Sequence, residues 1–294
     1  MIKVGLSLDE IEYLSKEGPK NARKCSRRDL AYVMSMKGNG STTVAGTMIL
    51  ANWAGIKVFV TGGIGGVHRG AESTMDISAD LKELGQTPVA VISAGVKSIL
   101  DIPKTLEYLE TQGVPVVSFG QDEFPDFFTT DSGEKAPFRC DTPAQCAAML
   151  KSQLQMNLET GMLFSVPIPA DKAADQKTIR AGIDQALKEA DSQNIQGAKI
   201  TPFLLKRINE LTGGESSASN VELILNNAML GAQIAVEFAK QMGGKKYEHK
   251  VESEVEDELV KPAPSSGKAS PITLVGGCAV DIISRADVGE GLNS

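Results

Sequence analysis

Three short apolar runs spaced about one helix apart constrain this chain most. Ile56-Lys57-Val58-Phe59-Val60, Pro88-Val89-Ala90-Val91-Ile92 and Val114-Pro115-Val116-Val117-Ser118-Phe119-Gly120 are rich in β-branched residues, and each ends near Gly or Ser. Strands that read as continuous apolar runs are buried on both faces, which is how the strands of a helix-covered parallel sheet are buried. Residues 98–112 lie between the second and third runs and predict a crossover helix closed at Gly113. The pattern therefore predicts βαβ units and an α/β fold with a largely parallel sheet.

Further along, Ile179, Ile183, Ala186, Leu187 and Ala190 fall on one helical face, as do Val221, Leu225, Ala228, Ala232 and Ala235. Both segments are expected to be helices packed by those faces. Thr201-Pro202-Phe203-Leu204-Leu205 begins another helix between them, with proline in its first turn. Residues 243–270 change character: a lysine pair, an acidic run and Pro262-Ala263-Pro264-Ser265-Ser266-Gly267 read as a solvated linker. Ile272-Thr273-Leu274-Val275-Gly276-Gly277 then reads as a buried strand that opens a new unit.

Charge narrows the function. A net charge of -7 and a pI near 5.1 argue against a general nucleic-acid binder, which needs a basic face for the phosphate backbone. The four cysteines, at positions 25, 140, 146 and 278, form no CxxC pair, and with two histidines a Cys/His zinc site is disfavoured. No apolar run is long enough to span a bilayer, and no signal-peptide plan opens the sequence, so a cytoplasmic protein without membrane or nucleic-acid partners is expected.

Several segments could carry chemistry. Thr61-Gly62-Gly63-Ile64-Gly65-Gly66-Val67-His68-Arg69-Gly70 follows a predicted strand, where glycine-rich backbone can turn N–H groups toward an anion. Its spacing fits neither GxGxxG nor a P-loop, which disfavours a nucleotide, and a tight packing turn is the ordinary alternative. Asp76-Ile77-Ser78-Ala79-Asp80 sets two carboxylates four residues apart, suited to a divalent ion or to substrate hydroxyls and equally to helix capping. Lys97 lies just past the end of a predicted strand, where ligands of open α/β sheets collect. A lysine desolvated there, or beside another cation, becomes a neutral amine able to attack a sugar carbon; an exposed lysine is the plainer reading. Lys24 to Arg28 gathers positive charge suited to phosphate, or to an ordinary solvated face.

These blocks in this order resemble the signature segments of the pseudouridine-5′-phosphate glycosidases. The resemblance continues through Asp122-Glu123-Phe124-Pro125, Ser165-Val166-Pro167-Ile168-Pro169, Thr201 to Leu205 and Leu225-Asn226-Asn227-Ala228, and covers roughly residues 2–242. It implies an α/β/α sandwich with a mixed, largely parallel sheet, assembled as a homotrimer. The implied reaction is reversible cleavage of the C–C glycosidic bond of pseudouridine 5′-phosphate to uracil and ribose 5-phosphate. By the same resemblance Lys97 is the Schiff-base nucleophile and Asp76 the ligand of a Mn²⁺ ion. Lys24, Val44, Ser78, Ala79 and Asp80 match substrate-contact positions, and Thr61 and His68 lie where the pocket should be. Lys24 is expected to bind phosphate, and Asp80 and His68 to orient ribose or uracil, with Asn220 or Asn226 as candidates for the base.

The resemblance also sets expectations at both ends. The family's N-terminal segment, with its general-acid glutamate, has no counterpart here, so a catalytically impaired fragment that retains ligand binding or trimer assembly is the alternative reading. Residues 271–294 resemble the start of a PfkB-type sugar kinase, as in eukaryotic glycosidase–kinase fusions, giving expected units at 1–242, 243–270 and 271–294. A mitochondrial location stays open beside the cytoplasmic one. An unrelated Schiff-base lyase or aldolase acting on a phosphosugar is the further alternative.

Overall fold

The computed structural model describes residues 2–195 and 200–243, together with short strands at 260–262, 272–273 and 285–286. The linker and the start of a kinase, expected at 243–270 and 271–294, lie outside the described residues except for those strands.

The chain opens with β1 (Ile2–Val4), α1 (Leu8–Asn21), β2 (Arg23–Cys25), α2 (Arg27–Ser35) and β3 (Gly40–Thr42). β2 and β3 pair in parallel as a separate two-stranded sheet. The body follows as α3 (Val44–Trp53), β4 (Val58–Val60), α4 (Ala71–Thr74), α5 (Ala79–Leu84), β5 (Ala90–Ser93), α6 (Ile102–Thr111), β6 (Val116–Phe119), β7 (Phe138–Cys140), α7 (Pro143–Gln155) and β8 (Met162–Ser165). Three helices close it: α8 (Gln176–Ser192), α9 (Ile200–Leu211) and α10 (Glu215–Gln241). β4 to β8 form one five-stranded sheet in the order β4-β5-β8-β6-β7, and every pairing in it is parallel.

Successive residues of a strand point to opposite faces, and the two cores divide accordingly. Phe59, Val91, Val116 and Leu163 pack with Met48 of α3, Leu81 and Leu84 of α5, Leu109 of α6 and Ile183 of α8. Val58, Val60, Ala90, Ile92, Val117, Met162 and Phe164 pack instead with Leu150 and Leu154 of α7 and Leu230 and Ile234 of α10. This is an α/β/α sandwich, and burial on both sides explains why the strands read as unbroken apolar runs.

Local signals set the boundaries. Asp101 caps α6 by accepting from the Lys104 N–H, proline follows inside the first turn, and Gly113 takes φ +70° just past its end. Thr142 and Gln145 form a capping box at the start of α7.

One expectation is corrected. Of the expected face, Ala235 is buried and Ala228 packs against the core, but Val221 and Leu225 of α10 are exposed, and the helix buries Leu223, Asn227, Leu230, Gly231 and Ile234 in their place. The reason lies at Gly231: a Cβ there would stand 2.3 Å from Val60 Cγ2, so this face, free of bulk at its crossing point, is the one that can lie on β4. Val221, Leu225 and Met229 are left as an exposed apolar stripe.

Candidate active site

The backbone that follows β4 and β5 does not splay apart at the strand ends. Thr61 N–H donates to Ile92 O, Ala94 N–H to Gly62 O, Ile64 N–H to Gly95 O and Lys97 N–H to Ile64 O. The glycine-rich loop and the Lys97 segment thus continue the parallel ladder past the carboxyl ends of their strands, where ligands of such sheets bind. Thr61 is buried, and its carbonyl accepts from the Asn227 amide of α10 at 3.0 Å.

The loop then doubles back. Val67 bridges to Ile77 antiparallel, His68 N–H donates to Asp76 O at 3.0 Å, and Ser78 N–H donates to Gly66 O. This sets the His68 imidazole 3.9 Å from the Asp76 carboxylate. Burial is the main cause that pushes the His68 pKa below its ordinary value; Asp76 opposes it, while the cations Lys24 and Lys97 add to it. Lys24 from β2, His68 and Asp76 from the loop, and Lys97 from the turn after β5 therefore share one neighbourhood.

Asp80, expected to touch substrate, has both carboxylate oxygens engaged by backbone. Oδ1 accepts from Ala45 N–H and Oδ2 from Gly65 N–H, each at 2.9 Å. The Ala45 N–H belongs to the first turn of α3, where it has no intrahelical acceptor and where a negative charge is favoured. Gly65 fits only as glycine, because a Cβ would lie 2.2 Å from Ser78 Oγ and 2.8 Å from Asp80 Oδ2. Asp80 thereby joins the helix start that carries Val44, itself buried, to the glycine loop. Ser78 caps α5 by accepting from Asp80 N–H, and Ala79 is exposed beside it.

The glycine loop packs as tightly elsewhere: a Cβ on Gly63 would sit 2.4 Å from the Phe127 ring. The positive segment near the start of the chain is partly spent on structure. Arg27 forks onto the buried Glu83 at 2.9 and 2.6 Å, and Arg23 pairs with Asp29 while lying over the Tyr32 ring. Asn226 stands apart, donating to Pro167 O beside a separate cavity of about 460 Å³ lined by Phe119, Val166 and Met229. Asn227 and Phe127 are the positions that residue spacing did not single out.

The model of the family described as "Indigoidine synthase A like protein" matches residues 1–237. The chain is a member of this family. Among curated relatives it is 54% identical over 239 residues to a pseudouridine-5′-phosphate glycosidase of Arabidopsis thaliana, covering 81% of this chain and 72% of the relative. It is 52% identical over 239 residues to one of Clostridium botulinum, covering 81% and 78%. A crystal structure of the prealnumycin C-glycosynthase AlnA with ribulose 5-phosphate aligns with TM-score 0.76 and 35% identity over 82% of this chain and 79% of that one. An indigoidine synthase A-like protein of Thermotoga maritima aligns with TM-score 0.72 and 35% identity over 79% and 76%. Family members of solved structure thus share this α/β arrangement. Among the described residues, no helix is long and apolar enough to cross a membrane.

Two outcomes follow from the geometry. Asp80→Asn leaves one of the Ala45 and Gly65 N–H groups without an acceptor, and a lower urea midpoint is expected, equivalent to roughly 1–3 kcal/mol. In metal-free protein, His68 is expected to titrate below the free imidazole range by NMR, and to move upward in Lys24→Ala and in Lys97→Ala, because each removes a cation that opposes its protonation. An unchanged titration in both variants would separate these residues from one another.

Proposed function

We propose that this chain catalyses the reversible cleavage of pseudouridine 5′-phosphate to uracil and ribose 5-phosphate, with Lys97 as nucleophile. The observation that carries this reading is the meeting of Lys24, His68, Asp76 and Lys97 at the strand ends, in a chain more than half identical to named pseudouridine-5′-phosphate glycosidases. Two cations that both act on His68 suit a phosphorylated substrate, and attack on a sugar carbon needs the neutral amine of a lysine.

A carbon leaving group cannot be released by protonating a glycosidic oxygen, so the two-carboxylate route of ordinary glycosidases does not serve. Attack of Lys97 Nζ on C1′ breaks the C1′–O4′ bond, and the ring oxygen leaves as a hydroxyl on taking up a proton. The nitrogen lone pair then forms the C1′=N bond as the bond to the base breaks, and the base carbon that was joined to C1′ keeps that electron pair and takes up a proton to give uracil. Water hydrolyses the imine, releasing ribose 5-phosphate and the amine. Lys24 holds the phosphate. His68, kept neutral by burial, is free to accept a hydrogen bond from a substrate hydroxyl. Asp80 acts through the backbone of Ala45 and Gly65, fixing the walls formed by Val44 and the glycine loop, and Thr61, Ser78 and Ala79 complete the pocket.

Asp76 is the residue that would hold Mn²⁺. Its half-exposed carboxylate is a hard oxygen donor, and among the described residues no three His, Cys, Asp or Glu side chains converge, which suits an ion that keeps most of its water. When bound, the ion supplies positive charge that orients and polarises substrate oxygens. The homotrimer remains part of this reading: the Val221, Leu225 and Met229 stripe is an apolar helix face for a second copy of the chain.

Incubation with ribose 5-phosphate, uracil and Mn²⁺ followed by borohydride is expected to leave a reduced ribose-phosphate adduct on the Lys97 peptide, absent from Lys97→Ala; a folded, metal-loaded protein without adduct would overturn the imine route. Leu225→Glu is expected to convert trimer to monomer by light scattering, and an unchanged mass would remove the stripe from the interface.

A further inference from the structure

A cavity of about 660 Å³ lies beside the turn that carries Lys97, within the size range of small-molecule sites. Ser98 and Leu100 line it, whereas Lys24, Val44, Thr61, His68, Asp76 and Lys97 do not. It is therefore distinct from those side chains, adjoining the candidate active site through the turn at Ser98 and through Arg69 and Gly70 at the end of the glycine loop. Its walls combine two kinds of group that ask for different partners.

The first is Asp126, only 8% exposed, whose Oδ1 is buried without a hydrogen-bond partner. Its neighbour in the wall is Ser98, whose hydroxyl donates to the Asp126 carbonyl at 2.9 Å. Burial pushes the Asp126 carboxyl up to about 6, against the pull of Ser98 and of Arg180 and Arg69. A buried carboxyl oxygen with no donor is costly, and a hydroxyl brought by a ligand would satisfy it. Glu134 and Asp184 add further acceptors to the same walls.

The second is the pair Arg69 and Arg180, which line the cavity from the loop after His68 and from α8. Both are close enough to act on Asp126, yet among the described residues neither forms an ion pair within 4.0 Å. A guanidinium presents a planar fork of donors that matches phosphate oxygens.

We propose that this cavity is a second binding site, for a phosphorylated polyol. Arg69 and Arg180 hold the phosphate, while Asp126, Glu134 and Asp184 accept hydrogen bonds from the hydroxyls. A ligand bound there touches Ser98, the residue next to Lys97.

Calorimetric titration of the full chain with ribose 5-phosphate tests this. Two molecules per chain are expected for the unaltered protein, and one for the Arg69→Ala/Arg180→Ala double variant, whose exposed positions leave thermal unfolding unchanged. Asp126→Ala is expected to weaken the second site for ribose 5-phosphate by roughly tenfold or more, while inorganic phosphate, which brings no polyol hydroxyl, binds there as before. One molecule per chain in the unaltered protein, or a second site that survives the double arginine variant, would overturn the proposal. Uracil release from pseudouridine 5′-phosphate is read separately, so failure of the glycosidase reading and failure of this site give different results.

Discussion

One carboxylate holds the pocket together. Asp80 spends both oxygens on backbone N–H groups, one from the start of α3 and one from the glycine loop, and it does so from the start of a third element, α5. Hydrogen bonds to an ionised group are stronger than neutral ones, and here one is buried and the other partly so. The helix start, the loop and the Lys97 turn are then tied to one another, because the loop is also hydrogen-bonded to that turn through Ile64 and Gly95. The nucleophilic role proposed for Lys97 needs such fixed positions: misplacement by about 1 Å can cost on the order of a hundredfold in rate.

The positive charge near Lys24 is held by the same kind of device. Arg27 is anchored on Glu83, which is buried in α5 and also receives bonds from Gln86 and Thr87. α5 therefore carries two acidic residues that face in different directions, Asp80 toward the loops and Glu83 toward α2. β2 runs into α2, so the position of Lys24 depends on the second contact as that of Val44 depends on the first. Neither carboxylate has to meet substrate to matter for binding it.

Three strands of the sheet, β4, β5 and β6, were legible in the sequence because they are buried on both faces, so Phe59, Val91 and Val116 declare themselves whichever side they take, whereas β7 and β8 were not singled out. The crossover helix was legible from its place between two strands and from Gly113 at its end, although its start at Ile102 lies inside the expected 98–112. The face of α10 was not. Its buried stripe includes Asn227 and Gly231, which look like surface residues in a hydropathy pattern, whereas exposed Val221 and Leu225 look like core. The role of Asp80 was hidden differently. Spacing left Asp80 open between ligand and helix cap, the resemblance pointed to substrate, and nothing local signals that it reaches Ala45, 35 residues earlier in the chain. Sequence periodicity reports which residues prefer to leave water; it does not report which backbone donors a fold will bring to a side chain.

The strand order has a consequence for how the molecule comes into being. Among the described residues β8 is the last strand of the main sheet along the chain, yet it lies between β5 and β6 and pairs with both. During synthesis, β5 and β6 emerge with no neighbour on their facing edges until residues 162–165 have left the ribosome. Those edges expose unsatisfied backbone groups flanked by Val91, Ile92, Val116 and Val117, the kind of surface that recruits wrong partners. Closure of the sheet is thus a single late event with long-range contacts, slow by the logic of chain topology. Until that central strand is made, the facing edges of β5 and β6 stay open to other partners.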